Sequence, residues 1–150
     1  MTTHFEKPAA LLSAVGTDLG TTEPITITQE QIDKFAEATL DNQWIHCDIE
    51  RARNGPFGAP IAHGYLTMSL ASHFLAELVR VEGISMGINY GTEKVRFTAP
   101  VPVNSQVRLK ATLRDSERRG EGVLYRLGVE IEIRGSEKPA LVGEVLYLVF

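Results

Sequence analysis

The chain has 150 residues, 43% of them hydrophobic and 23% charged, and a net charge of −4. A sequence of this size and balance is expected to fold as one domain, residues 1–150, around a sizeable core, and its acidic charge argues against nucleic acid as a partner. Cys47 is the single cysteine, which excludes an intrachain disulfide and an all-cysteine metal site. No apolar stretch approaches bilayer length and no basic region followed by an apolar run opens the chain, so no membrane span or secretory signal is predicted and a cytoplasmic protein is expected.

In chain order, Ala9-Ala10-Leu11-Leu12 predicts a short helix or arm lying on the domain. Ile25-Thr26-Ile27-Thr28 alternates like a short strand. Thr28 followed three residues later by Gln31 fits a capping box, and Ile32, Phe35, Ala36 and Thr39 fall at helical spacing, predicting a helix that runs out near Leu40. Asp48 is placed to cap a short turn over 49–53. Two Gly and two Pro between Asn54 and Pro60 break regular structure. From Gly64 to Arg80 nearly every position is apolar or small, which predicts a central helix wrapped by the rest of the fold, with a narrow stripe of Thr67, Ser69 and Ser72. The remainder reads as strands: 88–90, 93–97, 107–113, then a polar turn from Arg114 to Gly122, then Tyr125, Leu127, Val129, Ile131 and Ile133 on one face, and a last strand from Leu141 to Phe150. A nearly apolar helix followed by antiparallel strands predicts an α+β fold, with a sheet curled around the helix. Such a sheet leaves edges to protect, and a homodimer protects them.

The chemistry-bearing segment is Thr39-Leu40-Asp41-Asn42-Gln43-Trp44-Ile45-His46-Cys47-Asp48. It places a carboxylate and an imidazole at the exit of a predicted helix. Two such groups can hold one water between them, the equipment for adding water to an activated double bond. Taken alone, the pair has a plain alternative: Asp41 caps a turn and His46 is a satisfied core histidine. Cys47 is not expected to act as a nucleophile, because neighbours in an extended segment point to opposite sides.

Asp41-Asn42-Gln43-Trp44-Ile45-His46-Cys47-Asp48, Gly55-Pro56-Phe57-Gly58, Ile61-Ala62-His63-Gly64-Tyr65-Leu66-Thr67 and Asn89-Tyr90-Gly91 through Lys94-Val95-Arg96-Phe97 to Val103 follow one another in order. Together they make the chain resemble the MaoC-like dehydratases, the (R)-specific enoyl-CoA hydratase (hydratase 2) family of the hotdog fold, and within it the NodN-like branch. Gln43 and Trp44 stand where the general motif has Asn-Pro, as in that branch. Leu40 departs from the usual Gly before the aspartate, a position where Gly would permit unusual backbone angles.

The resemblance implies hydration of a trans-2-enoyl thioester to the (R)-3-hydroxyacyl thioester, and the reverse dehydration. Its substrates would be thioesters of coenzyme A or acyl carrier protein, with no cofactor and no metal. Asp41 and His46 would be the catalytic pair, either serving as acid or base, and the Gly64 N–H would hold the thioester oxygen. His63, Gln43 and Asn89 are further candidates to position the site or bind substrate, with loop fixing and strand packing as their plain alternatives. Arg51, Arg53, Lys94 and Arg96 are candidates to meet coenzyme A phosphates. Leu40, Trp44, Phe57, Tyr65 and Phe74 are candidates to line an acyl tunnel. Two other readings use the same residues: an acyl-CoA thioesterase on the same fold, and an acyl-thioester binding protein without turnover.

Overall fold

A computed structural model describes residues 1–150. The framework is an antiparallel sheet built from β2 (Asp18–Thr21), β5 (Gly87–Phe97), β6 (Gln106–Arg119), β7 (Gly122–Ile133) and β8 (Leu141–Val149), in the order β2-β6-β7-β8-β5, with β3 (Ile25–Thr26) also paired to β6. Alternation drives it. Val107, Leu109, Ala111 and Leu113 of β6 and Val123, Tyr125, Leu127, Val129, Ile131 and Ile133 of β7 are all buried, every second residue on one face. The ladder runs on past the predicted end of β6: Arg114 to Arg119 are strand, paired up to Arg119↔Gly122. Only Gly120 and Glu121 turn the chain, with Gly120 at φ 59, the left-handed value required at the first turn position of a type II′ hairpin. A bulge between Leu113 and Asp115 absorbs the change of register there.

Inside the curl lies the helical layer α4 (Gly64–Ser69) and α5 (Ala71–Leu78). Phe74, Leu75 and Leu78 pack in one core with Leu109, Leu113, Leu127 and Ile131. This is the hotdog arrangement that the sequence implied, with two corrections. The helix stops at Leu78 rather than Arg80, because Val79–Val81 (β4) pairs in parallel with Thr3–Phe5 (β1), two strands absent from the sequence reading. Nor is the helix wrapped all round: Tyr65, Ser69, Ser72 and His73 are exposed. The two segments predicted over 88–97 form one strand, β5, with bulges between Asn89 and Gly91 and between Glu93 and Arg96. β5 closes one end of the sheet order and is exposed along nearly its whole length.

The smaller elements follow their local signals. Pro8–Ser13 is a 3-10 helix that buries Leu11. Helix α1 (Gln29–Thr39) is capped by Thr28, whose Oγ1 accepts from the Gln31 N–H at 3.2 Å. Helices α2 (Trp44–Cys47) and α3 (Ile49–Arg53) meet at Asp48, whose carboxylate accepts from the Arg51 N–H at 3.0 Å. Cys47 is therefore helical, not extended. Its thiol is half-buried and burial pushes its pKa up, with Asp33 and Asp41 adding to the rise, so it is disfavoured as a nucleophile by its surroundings.

Candidate active site

Helix α1 ends with Leu40 at φ 62. An L-residue held in the left-handed region carries strain that Gly would not. The side chain is 83% exposed, so Leu40 replaces the usual Gly by accepting strain and does not narrow a pocket. That turn delivers Asp41, exposed, beside His46 of α2 and His63. Gln43 serves as the N-cap residue of α2 through its carbonyl, which accepts from the His46 and Cys47 N–H groups; its side chain is exposed and makes no cap bond. Gln29 ties α1 to α2 by donating to the His46 carbonyl at 2.8 Å.

His46 is 6% exposed, and its Nδ1 lies 2.6 Å from the Ile61 carbonyl oxygen. A carbonyl only accepts, so Nδ1 carries the hydrogen and Nε2 keeps its lone pair. Burial lowers the His46 pKa below the ordinary histidine value; the Ile61 bond opposes this, nearby His63 lowers it further, and Asp41 raises it. The imidazole is thus held as a neutral base. Ile61 is itself fastened: its N–H donates to the Ile45 carbonyl, and Pro60 and Ala62 are bonded to Val103 and Val101.

His63, 3% exposed, stacks on His46 with ring centroids 3.8 Å apart and planes 25° from parallel. Its Nε2 donates to the Asp41 main-chain oxygen at 3.0 Å, and the Phe35 ring lies against it, tilted by 54° at 4.9 Å between centroids. His63 therefore joins the turn carrying Asp41 to the start of α4. Side-chain donor atoms of Asp41, His46 and His63 all lie within 4.8 Å of one another. That proximity would suit metal ligands too, since each histidine keeps one nitrogen with a lone pair while the other donates to a carbonyl.

Gly64 follows as the first residue of α4. Its N–H has no partner within the helix and lies at the positive end of the helix dipole. A Cβ at Gly64 would stand 2.9 Å from the Phe97 ring, so any larger residue would have to displace that ring or the start of α4. The adjacent cavity, about 260 Å³, is lined by His46, Ile61, Gly64, Thr67, Phe97 and Val101 among others.

The fold thus gathers Asp41, His46, His63 and Gly64. Gln43 contributes only main chain, and Asn89 stands apart in a second cavity with Ser72 and Tyr147. Arg51 is laid over the Trp44 ring at 4.3 Å, Phe74 is fully buried in the core, and Phe57 and Tyr65 are exposed. Thr67, 2% exposed, and Phe97 also line the cavity beside His46 and Gly64; the sequence placed Thr67 on the polar stripe of the helix and both residues in the family blocks, without a site role for either. The Ile61 carbonyl, being backbone, had no sequence signal.

Residues 10–132 match the family described as MaoC like domain. The chain belongs to this family. It is 46% identical over 141 residues to 3-hydroxyacyl-thioester dehydratase Z of Mycobacterium tuberculosis, covering 93% of each chain, and 40% identical to Nodulation protein N of Rhizobium leguminosarum bv. viciae, covering 97% of this chain and 92% of the other. An (R)-hydratase from A. caviae involved in PHA biosynthesis superposes with a TM-score of 0.71 at 25% identity, covering 89% of this chain and 94% of that one. No helix of this MaoC-like chain is long and apolar enough to cross a membrane.

Proposed function

We propose that the protein is a hydro-lyase that adds water to trans-2-enoyl thioesters, giving (R)-3-hydroxyacyl thioesters, and runs the reverse dehydration. The observation that carries this is a buried His46 whose Nδ1 is bonded to the Ile61 carbonyl and whose Nε2 is free, beside Asp41 and next to the unpartnered Gly64 N–H. The thioester oxygen accepts from the Gly64 N–H. Water held between Asp41 and His46 loses a proton as its oxygen bonds the β-carbon, and the electron pair moves through the α-carbon toward the thioester oxygen. A backbone donor aimed at that developing charge is worth about 3 kcal/mol in comparable sites. The α-carbon then takes a proton from the Asp41–His46 pair, which balances the addition.

Coenzyme A or acyl carrier protein would stay outside the cavity mouth. The unpaired β5 edge, with Ile88, Tyr90 and Phe97 exposed and Tyr65 of α4 beside it, supports a homodimer in which a second copy covers that edge. A lone free cysteine suits a reducing, cytoplasmic setting.

The test is crotonyl-CoA hydration, followed by loss of enoyl-thioester absorbance with chiral analysis of the product. Wild type should yield the (R)-product, and Asp41→Asn and His46→Ala should each lose roughly a hundredfold or more in turnover while remaining folded. Release of free thiol instead would make the protein a thioesterase, and binding without product would make it a carrier of acyl thioesters.

A further inference from the structure

Gly64, Thr67, Met68, Ala71 and Ser72 fall at i, i+3, i+4, i+7 and i+8, a single stripe on the helical layer. Gly64 and Thr67 line the catalytic cavity; Met68, Ala71 and Ser72 line a second cavity of about 220 Å³ bounded by β5 and β8. The break between α4 and α5 does not interrupt the stripe, because Leu70 N–H bonds the Leu66 carbonyl and Phe74 N–H bonds the Leu70 carbonyl. The second cavity therefore lies farther along the same helix face as the site where the thioester oxygen binds.

Its lining is more polar than an alkyl chain would require. Ser69 is spent on its own helix, donating to the Tyr65 carbonyl at 2.6 Å. Ser72 reaches across to the sheet, 3.0 Å from the Tyr147 hydroxyl and 3.5 Å from Asn89 Oδ1. Asn89 and Tyr147 are opposite one another in the β5–β8 ladder, so their side chains share a face. Tyr147 is held by stacking on Tyr125, 5.8 Å between centroids. In the order Tyr147 to Ser72 to Asn89 Oδ1, both hydroxyl protons are used inside the cluster. Both Asn89 amide protons and the spare hydroxyl lone pairs are left over. An alkyl tail would cover these groups without bonding them, at a cost that a matching polar group would avoid.

We infer that Ser72, Asn89 and Tyr147 form a subsite for a hydroxyl or carbonyl carried near the far end of the acyl chain. The inference rests on the thioester reading above for the direction in which the chain enters. Eight residue steps lead from Gly64 to Ser72, a helical rise of about 12 Å. An extended chain advances about 1.2 Å per bond, which places the polar group at roughly the tenth chain atom.

The test measures binding, so it does not depend on turnover. Dissociation constants of decanoyl-CoA and 10-hydroxydecanoyl-CoA, both unreactive, are compared by titration calorimetry on the full chain. The hydroxylated ligand should bind roughly five- to tenfold more tightly. Asn89→Leu should bring the two constants together, as should Tyr147→Phe, which deletes one hydroxyl and keeps the ring stack. Because each variant is judged by a ratio of two ligands, a general loss of affinity cannot mimic the effect. Equal or tighter binding of decanoyl-CoA to wild type overturns the subsite, as does failure of both ligands to bind. Crotonyl-CoA hydration, scored separately, reports whether the reaction assignment itself has failed.

Discussion

Gly64→Ala isolates the geometry of the oxyanion donor, because it keeps the N–H and changes only the space in front of it. The added Cβ would stand 2.9 Å from Cδ2 and Cγ of Phe97, where ordinary contact begins at 3.4 Å. Either the ring recedes by about half an ångström or the helix start shifts by as much. Phe97 is 46% exposed and can move, so the fold should survive; Ala in a first helical turn is no worse for the helix than Gly. A shift of the helix start would carry the Gly64 N–H away from the thioester oxygen. A displacement of this order from the donor costs about a hundredfold in kcat/KM, close to the loss seen when an oxyanion donor is removed outright. The assay is crotonyl-CoA hydration with kcat and KM resolved. Phe97→Ala in the Gly64→Ala background should recover part of the loss, because it removes the atoms the methyl meets. Activity of Gly64→Ala within threefold of wild type, or losses in the pair that simply multiply, would refute the reasoning.

Three other outcomes follow from the same geometry. His46 acts as a neutral base with a pKa held low by burial, so the acid limb of the kcat/KM profile should fall below the ordinary histidine value. Asp41→Asn, which removes the charge that raises the His46 pKa, should shift any residual limb lower still. The same depression affects stability: an unfolded chain takes up the His46 proton at a higher pH than the folded one, so this contribution is present above the unfolded value and is lost as pH falls through the folded one, which denaturant titrations at pH 7 and pH 5 on wild type and His46→Ala would reveal. Leu40→Gly should stabilise the protein by about 1 kcal/mol, since left-handed strain of roughly 1–2 kcal/mol is relieved against a smaller rise in unfolded-chain entropy and the exposed leucine surrenders no burial. Thermal melting should show a rise of about 2–4 °C; an unchanged or lower midpoint would mean the turn is not strained.

Period-two alternation over Val107–Leu113 and Tyr125–Ile133, the Thr28 and Asp48 caps, and the dense apolar run from Gly64 were legible because each is a local relation between neighbouring side chains. They set the strands, the helix starts and the α+β class, and the Asp41–His46 spacing with its flanking blocks pointed to the chemistry. What the tertiary structure alone decided depends on backbone groups distant in sequence. The Ile61 carbonyl fixes which nitrogen of His46 is the base, and the Asp41 carbonyl fixes His63. Pairing with Thr3–Phe5 ends the helix two residues early by drawing Val79–Val81 into a strand. Asn89 joined Ser72 and Tyr147 rather than the catalytic pair, because strand register, not proximity in sequence, sets which side chains share a cavity. A carbonyl looks the same beneath every residue, so its aim is settled only when the chain has folded.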